Sequence, residues 1–363
     1  MPIYLDRHDM PDEITAEHVA EMHQMDLKVQ HEFGCRGFTY WFDDKKKLGF
    51  CLIEAPDKES IKKMHDHAHG GVPSEIIEVD ATFLETFLGR IVDPEKAMNT
   101  KLNIINEPAF RILMIISVKD SLFGKNNINN ALLTNLNKSI CSITKRFEGR
   151  IVKNESKSFL SSFLTVSNAI MAALEIQRYF KKHIDEKINS GISLNIGLNS
   201  GVPVTDKKGI FEDTISLAER MCDVARGVIV VSSEVNDLYE IENLNSSIDK
   251  EMINILNPTE EKFLNSLMDF TEKAWNKTDF KVDDFGKYLG LSKSQLYRKL
   301  KALTGKSPNT FLKEYRLDRA ISLLNKNENN ISEIAFETGF NSPSYFSKCF
   351  LETYGILPSS YLK

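Results

Sequence analysis

The sequence predicts an α+β multidomain protein whose C-terminal part is all-α. Its 363 residues correspond to two or three domains of about 150 residues each. Hydrophobic periodicity indicates a front segment with the order β-α-β-β-α-β, a middle α/β segment in which strand-like and helix-like runs alternate, and a final segment with helical periods only. We place the three predicted domains at residues 1–85, 108–240 and 260–363.

The charge of the chain is unevenly distributed. The formal net charge is −5, but residues 1–100 carry 11 basic and 20 acidic side chains, whereas residues 261–363 carry 16 basic and 12 acidic ones. The residues between these segments carry 19 of each sign. An acidic total normally argues against a nucleic-acid partner, yet the basic C-terminal segment permits one, and the acidic front segment attracts cations.

Composition and cysteine content predict a cytoplasmic protein. The chain has 42% hydrophobic and 27% charged residues, as soluble globular proteins do. Apolar runs such as Ile112–Ile116 are far shorter than the roughly 20 residues that a membrane span needs, and no apolar leader opens the chain. Because the five cysteines are scattered without a CxxC pair, we expect a reducing compartment, no disulfides and no membrane partner.

The front segment predicts a ferredoxin-like βαββαβ domain. Four strand-like runs are interrupted by two amphipathic helices, and the order along the chain is that of this fold. The strand-like runs are PIYLDRH, RGFTYWF, LGFCLIEA and EIIEV, and the helical runs are AEHVAEMHQMDLKVQHEF and DKESIKKMHDHA.

Seven of the eight histidines lie in this front segment. His65 and His69 are four residues apart on the second helix, partly shielded beside its buried stripe, so both imidazoles can reach one ion. On the first strand, Asp6 and His8 share a face. We therefore predict a site for a divalent transition metal, nickel or zinc, at His8, His65 and His69. The other helix histidines are expected at the surface or at the core edge: His18, His23 and His31.

Three stretches of the front segment resemble a small bacterial family of ferredoxin-like fold. They are YLDRHDMP, FCLIEAPDKES and GGVPSEIIEVD. Some members of that family are described as nickel-binding, which favours the metal site, although the resemblance does not assign ligands one by one. The alternative is that the HDHAH tract is a solvated helix end with adventitious metal affinity.

Three stretches of the middle segment resemble the class III nucleotide cyclase domain: FLSSFLTVSNAIMAALEIQRYF, SLNIGLNSGVPV and DTISLAERMCDVARGVIVVSSEV. The chemistry of that family needs two carboxylates that hold two divalent ions against a triphosphate. This chain has Ile116 and Ser117 where the resemblance places the first carboxylate, and Ser156 and Lys157 where it places the second. A lysine at a metal position would repel the ion.

The remaining cyclase positions are also incomplete. Arg220 matches the transition-state arginine of that family, but Ser216 stands where an asparagine is expected. The resemblance therefore implies a degenerate scaffold that pairs as a dimer and does not catalyse a reaction. Whether its cleft still binds an anion through Lys157 and Arg220 stays open, since a surface lysine and a helix-face arginine explain these residues equally well.

The C-terminal segment contains one pattern twice. VDDFGKYLGLSKSQLYRKLKALTGKSPNTFLK begins at Val282, and ISEIAFETGFNSPSYFSKCFLETYGILPSSYLK begins at Ile331. Each copy has a short amphipathic helix, a turn glycine (Gly290 or Gly339), a serine cap and a second helix. Such a unit is a helix-turn-helix. The segment FLKEYRLDRAISLLNKN between the copies has a helical period and predicts a connecting helix.

The second helix of each unit has a polar face suited to double-stranded DNA. Glutamine pairs with adenine edges and arginine with guanine, whereas lysine and serine suit phosphates or bases. The alternative is a generic helical bundle with a solvated face. The predicted DNA-contacting residues are Ser292, Lys293, Gln295, Arg298 and Lys299 in the first unit, and Asn341, Ser342, Ser344 and Lys348 in the second, where Tyr345 and Ser347 share the same face.

These two units closely resemble the AraC/XylS-type DNA-binding domain of bacterial transcription regulators. The stretch LSKSQLYRKLKALTGKSP carries the resemblance in the first unit, and the second unit carries it in Ala335, Gly339, Phe340 and Pro358. The resemblance implies two recognition helices that enter successive major-groove segments about 34 Å apart. Leu351 departs from the family, which usually has a basic residue there, so one phosphate contact is missing.

The main hypothesis is a dimeric transcription regulator. Its front domain would sense a metal ion or a small ligand, and its cyclase-like domain would dimerise and relay the signal. Two alternatives stay open: a metal-binding or buffering protein with secondary DNA binding, and an active nucleotide cyclase, against which the missing carboxylates argue strongly. The sequence does not reveal the effector, the operator, or whether regulation is positive or negative.

Overall fold

The structure is a computed structural model that describes residues 1–95, 101–120, 126–155, 157–185, 192–225, 227–243, 251–326 and 330–361. These residues form two β-sheets with their helices, followed by a group of helices at the C-terminal end. Within these ranges, no helix combines the length and the apolar character that crossing a membrane requires.

The front of the chain, the front unit below, forms a four-stranded antiparallel sheet in the order β2-β3-β1-β4. Two helices pack on one face of this sheet, and side chains alternate along β1 so that Asp6 and His8 point toward them while Leu5 points to the opposite face. The elements are β1 (Ile3–Asp9), α1 (Ala16–Val29) with a 3₁₀ turn (Gln30–Phe33), β2 (Arg36–Asp43), β3 (Leu48–Glu54), α2 (Lys58–His69) and β4 (Glu75–Glu78).

The middle of the chain, the middle unit below, contains a mixed six-stranded sheet in the order β10-β9-β8-β5-β7-β6. The elements are β5 (Arg111–Asp120), α4 (Asn126–Arg146), β6 (Arg150–Glu155), β7 (Ser158–Phe163), α5 (Val166–Phe180) with a π turn (Lys181–Asp185), β8 (Ile192–Gly201), α6 (Glu212–Val224), β9 (Ile229–Val231), α7 (Ser233–Glu242) and β10 (Ile253–Ile255); α3 (Ala81–Leu88) precedes them.

The same topology occurs in both units. In the middle unit, β5, α4, β6, β7, α5 and β8 repeat the order strand, helix, strand, strand, helix, strand, and their strands pair antiparallel in the order β6-β7-β5-β8. The front sheet has the equivalent order β2-β3-β1-β4. The middle unit then adds β9 and β10 as parallel strands beside β8.

The two sheets share one hydrophobic core. One face of the second sheet packs on α4, α5 and α7. Its other face packs on α6 and on the face of the first sheet that α1 and α2 leave free, so the predicted front and middle domains are not separated by solvent. This shared core includes Leu5, Trp41, Phe50 and Leu52 of the first sheet, Leu113, Ile115 and Leu160 of the second sheet, and Phe211, Ala218 and Cys222 at α6.

Helix α3 lies at this junction, where the sequence analysis assigned no helix. Leu84, Phe87 and Leu88 of α3 are buried. The buried guanidinium of Arg111 donates hydrogen bonds to the carbonyls of Phe87 (3.3 Å) and Leu88 (3.1 Å) at the end of this helix. Burial lowers the pKa of Arg111 to about 10, although Glu107 beside it acts in the opposite direction. Helix α3 is thus fixed to the middle sheet.

The C-terminal helices form the two predicted helix-turn-helix units. The first is α9–α10 and the second is α12–α13. The connecting helix α11 has the predicted position. The bounds are α8 (Pro258–Ala274), α9 (Val282–Leu289), α10 (Lys293–Thr304), α11 (Pro308–Lys326), α12 (Ile331–Glu337), α13 (Pro343–Tyr354) and α14 (Pro358–Tyr361).

The turns use the predicted glycines and serine caps. Gly290 and Gly339 adopt positive φ angles of 64° and 78°, a region that L side chains rarely occupy. Ser292 accepts a hydrogen bond from the Gln295 N–H and so caps α10, and Ser342 caps α13 in the same way. Both helix-turn-helix units are therefore specified by local sequence.

Helix α8 attaches the first helix-turn-helix unit to the middle unit. Its buried residues Leu264 and Leu267 belong to one cluster with Met221 and Val224 of α6. The same cluster continues into α9 and α10 through Phe285, Leu296 and Leu300. The second helix-turn-helix unit has a core of its own, which is formed by residues of α11 to α13 and includes Leu317, Ile334, Phe346 and Phe350.

Candidate functional site

A buried histidine between two carboxylates forms the centre of the front unit. His65 of α2 is fully buried. Its Nε2 lies 2.9 Å from Asp6 Oδ2 on β1, and its Nδ1 lies 3.1 Å from Asp26 Oδ1 on α1. Because both ring nitrogens face carboxylate oxygens, both donate, and the imidazole is cationic. Burial by itself lowers the pKa of His65, but the hydrogen bonds to Asp26 and Asp6 outweigh it and raise this pKa to about 10.

The two carboxylates are held in their charged form. Burial acts to raise the pKa of Asp6, yet the charge of His8 and the hydrogen bond with His65 keep this pKa well below its usual range. Burial acts in the same way on Asp26, whose pKa is lowered by hydrogen bonds with His65 and His69. The cluster thus places one negatively charged carboxylate on each side of the buried His65 cation.

His8 and Cys51 extend the cluster on the Asp6 side. Cys51 of β3 lies directly opposite Asp6 in the sheet, and its backbone N–H donates to Asp6 Oδ1 at 2.8 Å. Burial, reinforced by the charge of Asp6, raises the pKa of the Cys51 thiol well above its ordinary value. One donor atom from each of Asp6, His8, Cys51 and His65 lies within 4.8 Å of the others.

His69 lies on the opposite side of the His65 ring. Its Nε2 is 3.3 Å from Asp26 Oδ1 and 3.3 Å from His65 Nδ1. His8, in contrast, lies beside Asp6, which faces Nε2 of His65. The predicted set of His8, His65 and His69 is therefore divided into two neighbouring groups that share His65. The expectation that His65 is only partly shielded was wrong, because α1 covers α2 and buries this side chain.

The donor set on the Asp6 side fits a transition metal ion. It combines two imidazoles, a thiol and a carboxylate, a set that suits nickel or zinc better than magnesium. His8 Nε2 is buried and lies 3.4 Å from Asp6 Oδ1, at the long end of hydrogen-bonding distance, so an ion bound there would replace only this weak contact. A small cavity of about 10 Å³ adjoins Cys51 from the side of Asp26, and Asp6, His8 and His65 do not line it.

The other front histidines do not join this cluster. His67 of α2 is 58% exposed, and His18 and His31 are exposed as well. His23 is buried, with its Nε2 3.5 Å from Asp93 Oδ2. These positions agree with the expectation of surface and core-edge residues.

The cyclase-like positions of the middle unit form no metal site among the described residues. Ile116 is buried in the core behind the sheet, and Ser117 pairs with its neighbouring strands in β5. Lys157 is exposed, and Ser156 lies outside the described residues. These side chains offer no carboxylate for a divalent cation.

Arg220 faces helix α8. Its guanidinium donates to Asn265 Oδ1 at 2.7 Å and to Asp269 Oδ1 at 2.5 Å, and Glu272 lies 3.8 Å away. An arginine with these partners is not free to bind an anion in a cleft. The arginine of the alternative anion site at Lys157 and Arg220 is therefore already engaged at the junction between α6 and α8.

The predicted DNA-contacting residues of α10 differ in their orientation. Lys293 and Arg298 are exposed, and Lys293 forms an ion pair with Asp283 at 2.7 Å. Ser292 and Gln295 are exposed and cap the helix, with Gln295 Oε1 accepting from the Ser292 N–H at 2.9 Å. Lys299 is only half-exposed and lies over the ring of Phe263 in α8, so it faces the protein.

The predicted residues of the second unit are placed at the start of α13 and along its outer face. Asn341, Ser344 and Lys348 are exposed. Ser342 is half-buried because it caps the helix. Tyr345 is also exposed, at 56%.

Sequence reasoning missed three side chains at these sites. Tyr297 of α10 is 50% exposed next to Arg298, and an aromatic residue on the polar face of a recognition helix was a usable signal. Asp26 belongs to the buried stripe of α1 together with Val19 and His23. Its spacing from these two residues was a signal in the sequence that Asp26 is buried. Cys51 had no local signal, since only the register of β3 against β1 brings it to Asp6.

Two kinds of site are therefore present in one chain. The C-terminal helices form a tandem helix-turn-helix unit with exposed polar recognition faces. The front unit holds a buried cluster of histidine, cysteine and aspartate. By its fold and these sites, the chain is of the class of helix-turn-helix proteins that carry an additional domain.

Comparison with known families agrees with this description. Residues 285–363 match the family described as helix-turn-helix domain, and residues 4–79 match the family described as nickel responsive protein SCO4226-like. The C-terminal part of the chain is an AraC-type helix-turn-helix DNA-binding domain, which confirms the predicted resemblance. The resemblance of the middle unit to nucleotide cyclases stays a prediction.

Individual relatives match parts of the chain. Histidine kinase P4 of Formosa agariphila is 41% identical over 102 residues, which are 28% of this chain and 7% of that protein. The HTH-type transcriptional regulator MtrA of Neisseria gonorrhoeae is 31% identical over 119 residues, 32% of this chain and 38% of the relative. The crystal structure of SCO4226 from Streptomyces coelicolor A3(2) is 30% identical, with 21% of this chain and 94% of that chain covered and a TM-score of 0.20. The chain thus spans well under half of either curated relative.

Replacing His65 with alanine should destabilise the protein, because Asp6 and Asp26 would remain buried without their cation. We expect the free energy of unfolding to fall by about 3–5 kcal/mol, measured by urea denaturation of the full chain. His67→Ala on the same helix is the matched control, and because His67 is exposed its effect should stay within about 0.5 kcal/mol. Equal losses in the two variants would contradict this account of the cluster.

Proposed function

We propose that the protein is a sequence-specific DNA-binding transcription regulator that acts in the cytoplasm. The observation that carries this proposal is the tandem helix-turn-helix unit, with both recognition helices capped and both polar faces exposed. The match of residues 285–363 to the family described as helix-turn-helix domain supports it. Double-stranded DNA is the partner, and Arg298 of α10 is the side chain best placed for a base contact.

Arg298→Ala should weaken binding to the operator by about 1–3 kcal/mol, because an arginine that pairs with a guanine edge loses that contact. The operator is first selected from a random-sequence DNA pool with the wild-type chain, and affinity is then measured by fluorescence anisotropy. Lys299→Ala is the matched control, since Lys299 lies over Phe263, and its effect should be below about 0.5 kcal/mol. Wild-type affinity in Arg298→Ala would exclude this base contact.

We further propose that the front unit is a ferredoxin-like sensor domain that binds nickel or a similar divalent transition metal. Asp6, His8, Cys51 and His65 would hold the ion, since one donor atom of each lies within 4.8 Å of the others. The ion would take the place of the proton that His65 Nε2 shares with Asp6. The match of residues 4–79 to the nickel-responsive family supports this assignment. This donor set differs from the predicted trio, because Cys51 and Asp6 take the place of His69.

Cys51→Ser and His8→Ala should each weaken nickel binding at least about tenfold, because each removes a ligand atom. Affinity is measured by competition with a chromophoric chelator, and Cys51→Ser should also abolish the thiolate-to-nickel charge-transfer absorption. His31→Ala serves as the control, since His31 is an exposed histidine outside the cluster. Nickel affinity that falls only in the control variant, or in no variant, would refute this site.

The middle unit is proposed to act as a degenerate cyclase-like scaffold that relays the signal. Helix α6 touches the core shared by the two sheets through Ala218 and Cys222, and it touches α8 through Met221, Val224 and Arg220. Helix α8 in turn packs on recognition helix α10, where Lys299 lies over Phe263. A displacement of α6 is thereby passed to α10 by direct contact.

Arg220→Gln should uncouple metal binding from DNA binding, because it breaks the ion pairs between α6 and α8. Operator affinity of the wild type is compared with nickel and with a chelator, and the ratio of the two should move toward 1 in the variant while nickel affinity is retained. Arg146→Gln is the control, since Arg146 pairs with Glu175 on the exposed surface of the middle unit. A wild-type ratio of 1 despite tight nickel binding would favour the metal-buffering alternative.

A homodimer that reads two half-sites completes the proposal. The sheet face of the middle unit that α4, α5 and α7 leave free is covered by α6 and the front sheet of the same chain. Pairing of two chains must therefore use another surface. Sedimentation of the full chain with and without operator DNA tests this part of the proposal.

A further inference from the structure

The proposed metal site leaves two buried side chains beside His65 without an assigned role. Asp26 and His69 lie on the Nδ1 side of the His65 ring, whereas Asp6 lies on the Nε2 side. Their exposed fractions are only 7% for Asp26 and 5% for His69. One donor atom from each of Asp26, His65 and His69 lies within 4.8 Å of the others, so these two side chains could either bind a second ion or support the first. The direction of their hydrogen bonds distinguishes the two roles.

The backbone fixes the tautomer of His69. The N–H of Gly71 donates to Nδ1 of His69 at 3.1 Å, so this nitrogen uses its lone pair as an acceptor. An imidazole that accepts at Nδ1 is neutral and carries its proton on Nε2. Nε2 of His69 therefore donates to Asp26, whose Oδ1 and Oδ2 lie 3.3 Å and 3.4 Å away. A nitrogen that carries a proton has no lone pair to offer a metal ion.

Asp26 in turn fixes the proton on Nδ1 of His65. Its Oδ1 lies 3.1 Å from this nitrogen and accepts an N–H from both histidines. This shared acceptor explains why Nδ1 of His65 and Nε2 of His69 are only 3.3 Å apart. With Nδ1 occupied, His65 binds an ion through Nε2, on the side of Asp6. A carboxylate that accepts from the second nitrogen of a ligand histidine orients the imidazole and raises its basicity.

We propose that Asp26 and His69 are positioning residues, which orient His65 toward one metal ion and do not bind an ion themselves. The hydrogen bonds run from the Gly71 N–H through His69 and Asp26 to the imidazole that they orient. The backbone that follows α2 thus determines which nitrogen of His65 faces the ion. The front unit then holds its ion in the group around Asp6 and has no second ion bridged by His65. This inference rests on the proposed metal-binding function and assigns the residues that support its ligands.

Two substitutions of His69 distinguish a positioning residue from a ligand. His69→Leu removes the donor to Asp26 and should weaken nickel binding by the full chain about tenfold or more. A glutamine amide can still donate to Asp26 but supplies no imidazole nitrogen, so His69→Gln should recover most of the affinity that His69→Leu loses. Affinity for nickel chloride is measured by competition with a chromophoric chelator. His67→Gln is the control, since His67 is exposed on the same helix.

Asp26→Asn should weaken nickel binding by about ten- to hundredfold, because a neutral amide is a weaker acceptor for the His65 N–H. The ligands remain in this variant. The thiolate-to-nickel charge-transfer absorption and the number of imidazole ligands found by X-ray absorption should therefore match the wild type, in Asp26→Asn as in His69→Gln. Asp66→Asn, at an exposed aspartate of α2, is the matched control. The His69 variants decide the inference even where Asp26→Asn does not fold.

The outcomes separate this inference from the metal function on which it rests. Loss of an imidazole ligand or of a bound nickel ion in His69→Gln overturns the positioning role, and so does a glutamine variant as weak as His69→Leu. NMR spectra of the metal-free chain, labelled at the histidine nitrogens, should place the His69 proton on Nε2, and a proton on Nδ1 overturns the inference without reference to metal. A wild-type chain without measurable affinity for nickel refutes the metal-binding function itself.

Discussion

Packing on two sides of helix α6 holds the molecule together. Ala218 and Cys222 of this helix are buried in the core shared by both sheets. Met221 and Val224, on another side, are buried against α8 and the first helix-turn-helix unit. Val230 of β9 belongs to the same cluster, and the ion pairs of Arg220 add a polar connection between α6 and α8. The three units, which follow one another along the chain, are thus connected by packing contacts through α6 and α8.

Local sequence was sufficient to predict the helix-turn-helix units. Gly290 and Gly339 need positive φ, and Ser292 and Ser342 cap the following helices, so each boundary is set by a residue's own chemistry. The predicted strands and helices of the front segment are also present, because their apolar alternation is regular. Helix α3 was not predicted, since its eight residues are too few for a clear helical period. Its conformation depends on Arg111 and the sheet beneath it.

Only part of the candidate metal site could be predicted from the sequence. The spacing of His65 and His69 predicts that both lie on one side of α2, and this prediction holds. Spacing cannot reveal that Asp26 separates His69 from the group around His8, because α1 reaches α2 only in the folded chain. Cys51 joins Asp6 through strand register alone. Ligands from one element are predictable, whereas ligands contributed by several elements require the tertiary structure.

Arg220 has surroundings that differ from those implied by the resemblance to nucleotide cyclases. The resemblance places this arginine where a cyclase stabilises a negatively charged transition state. In this chain, Asp269 and Asn265 of α8 occupy its guanidinium. A carboxylate from the same chain thus takes the position of a negatively charged ligand, and the arginine becomes part of an interface between units. Ile116, at a position where the resemblance places a metal carboxylate, is instead part of the apolar core that packs on α4, α5 and α7.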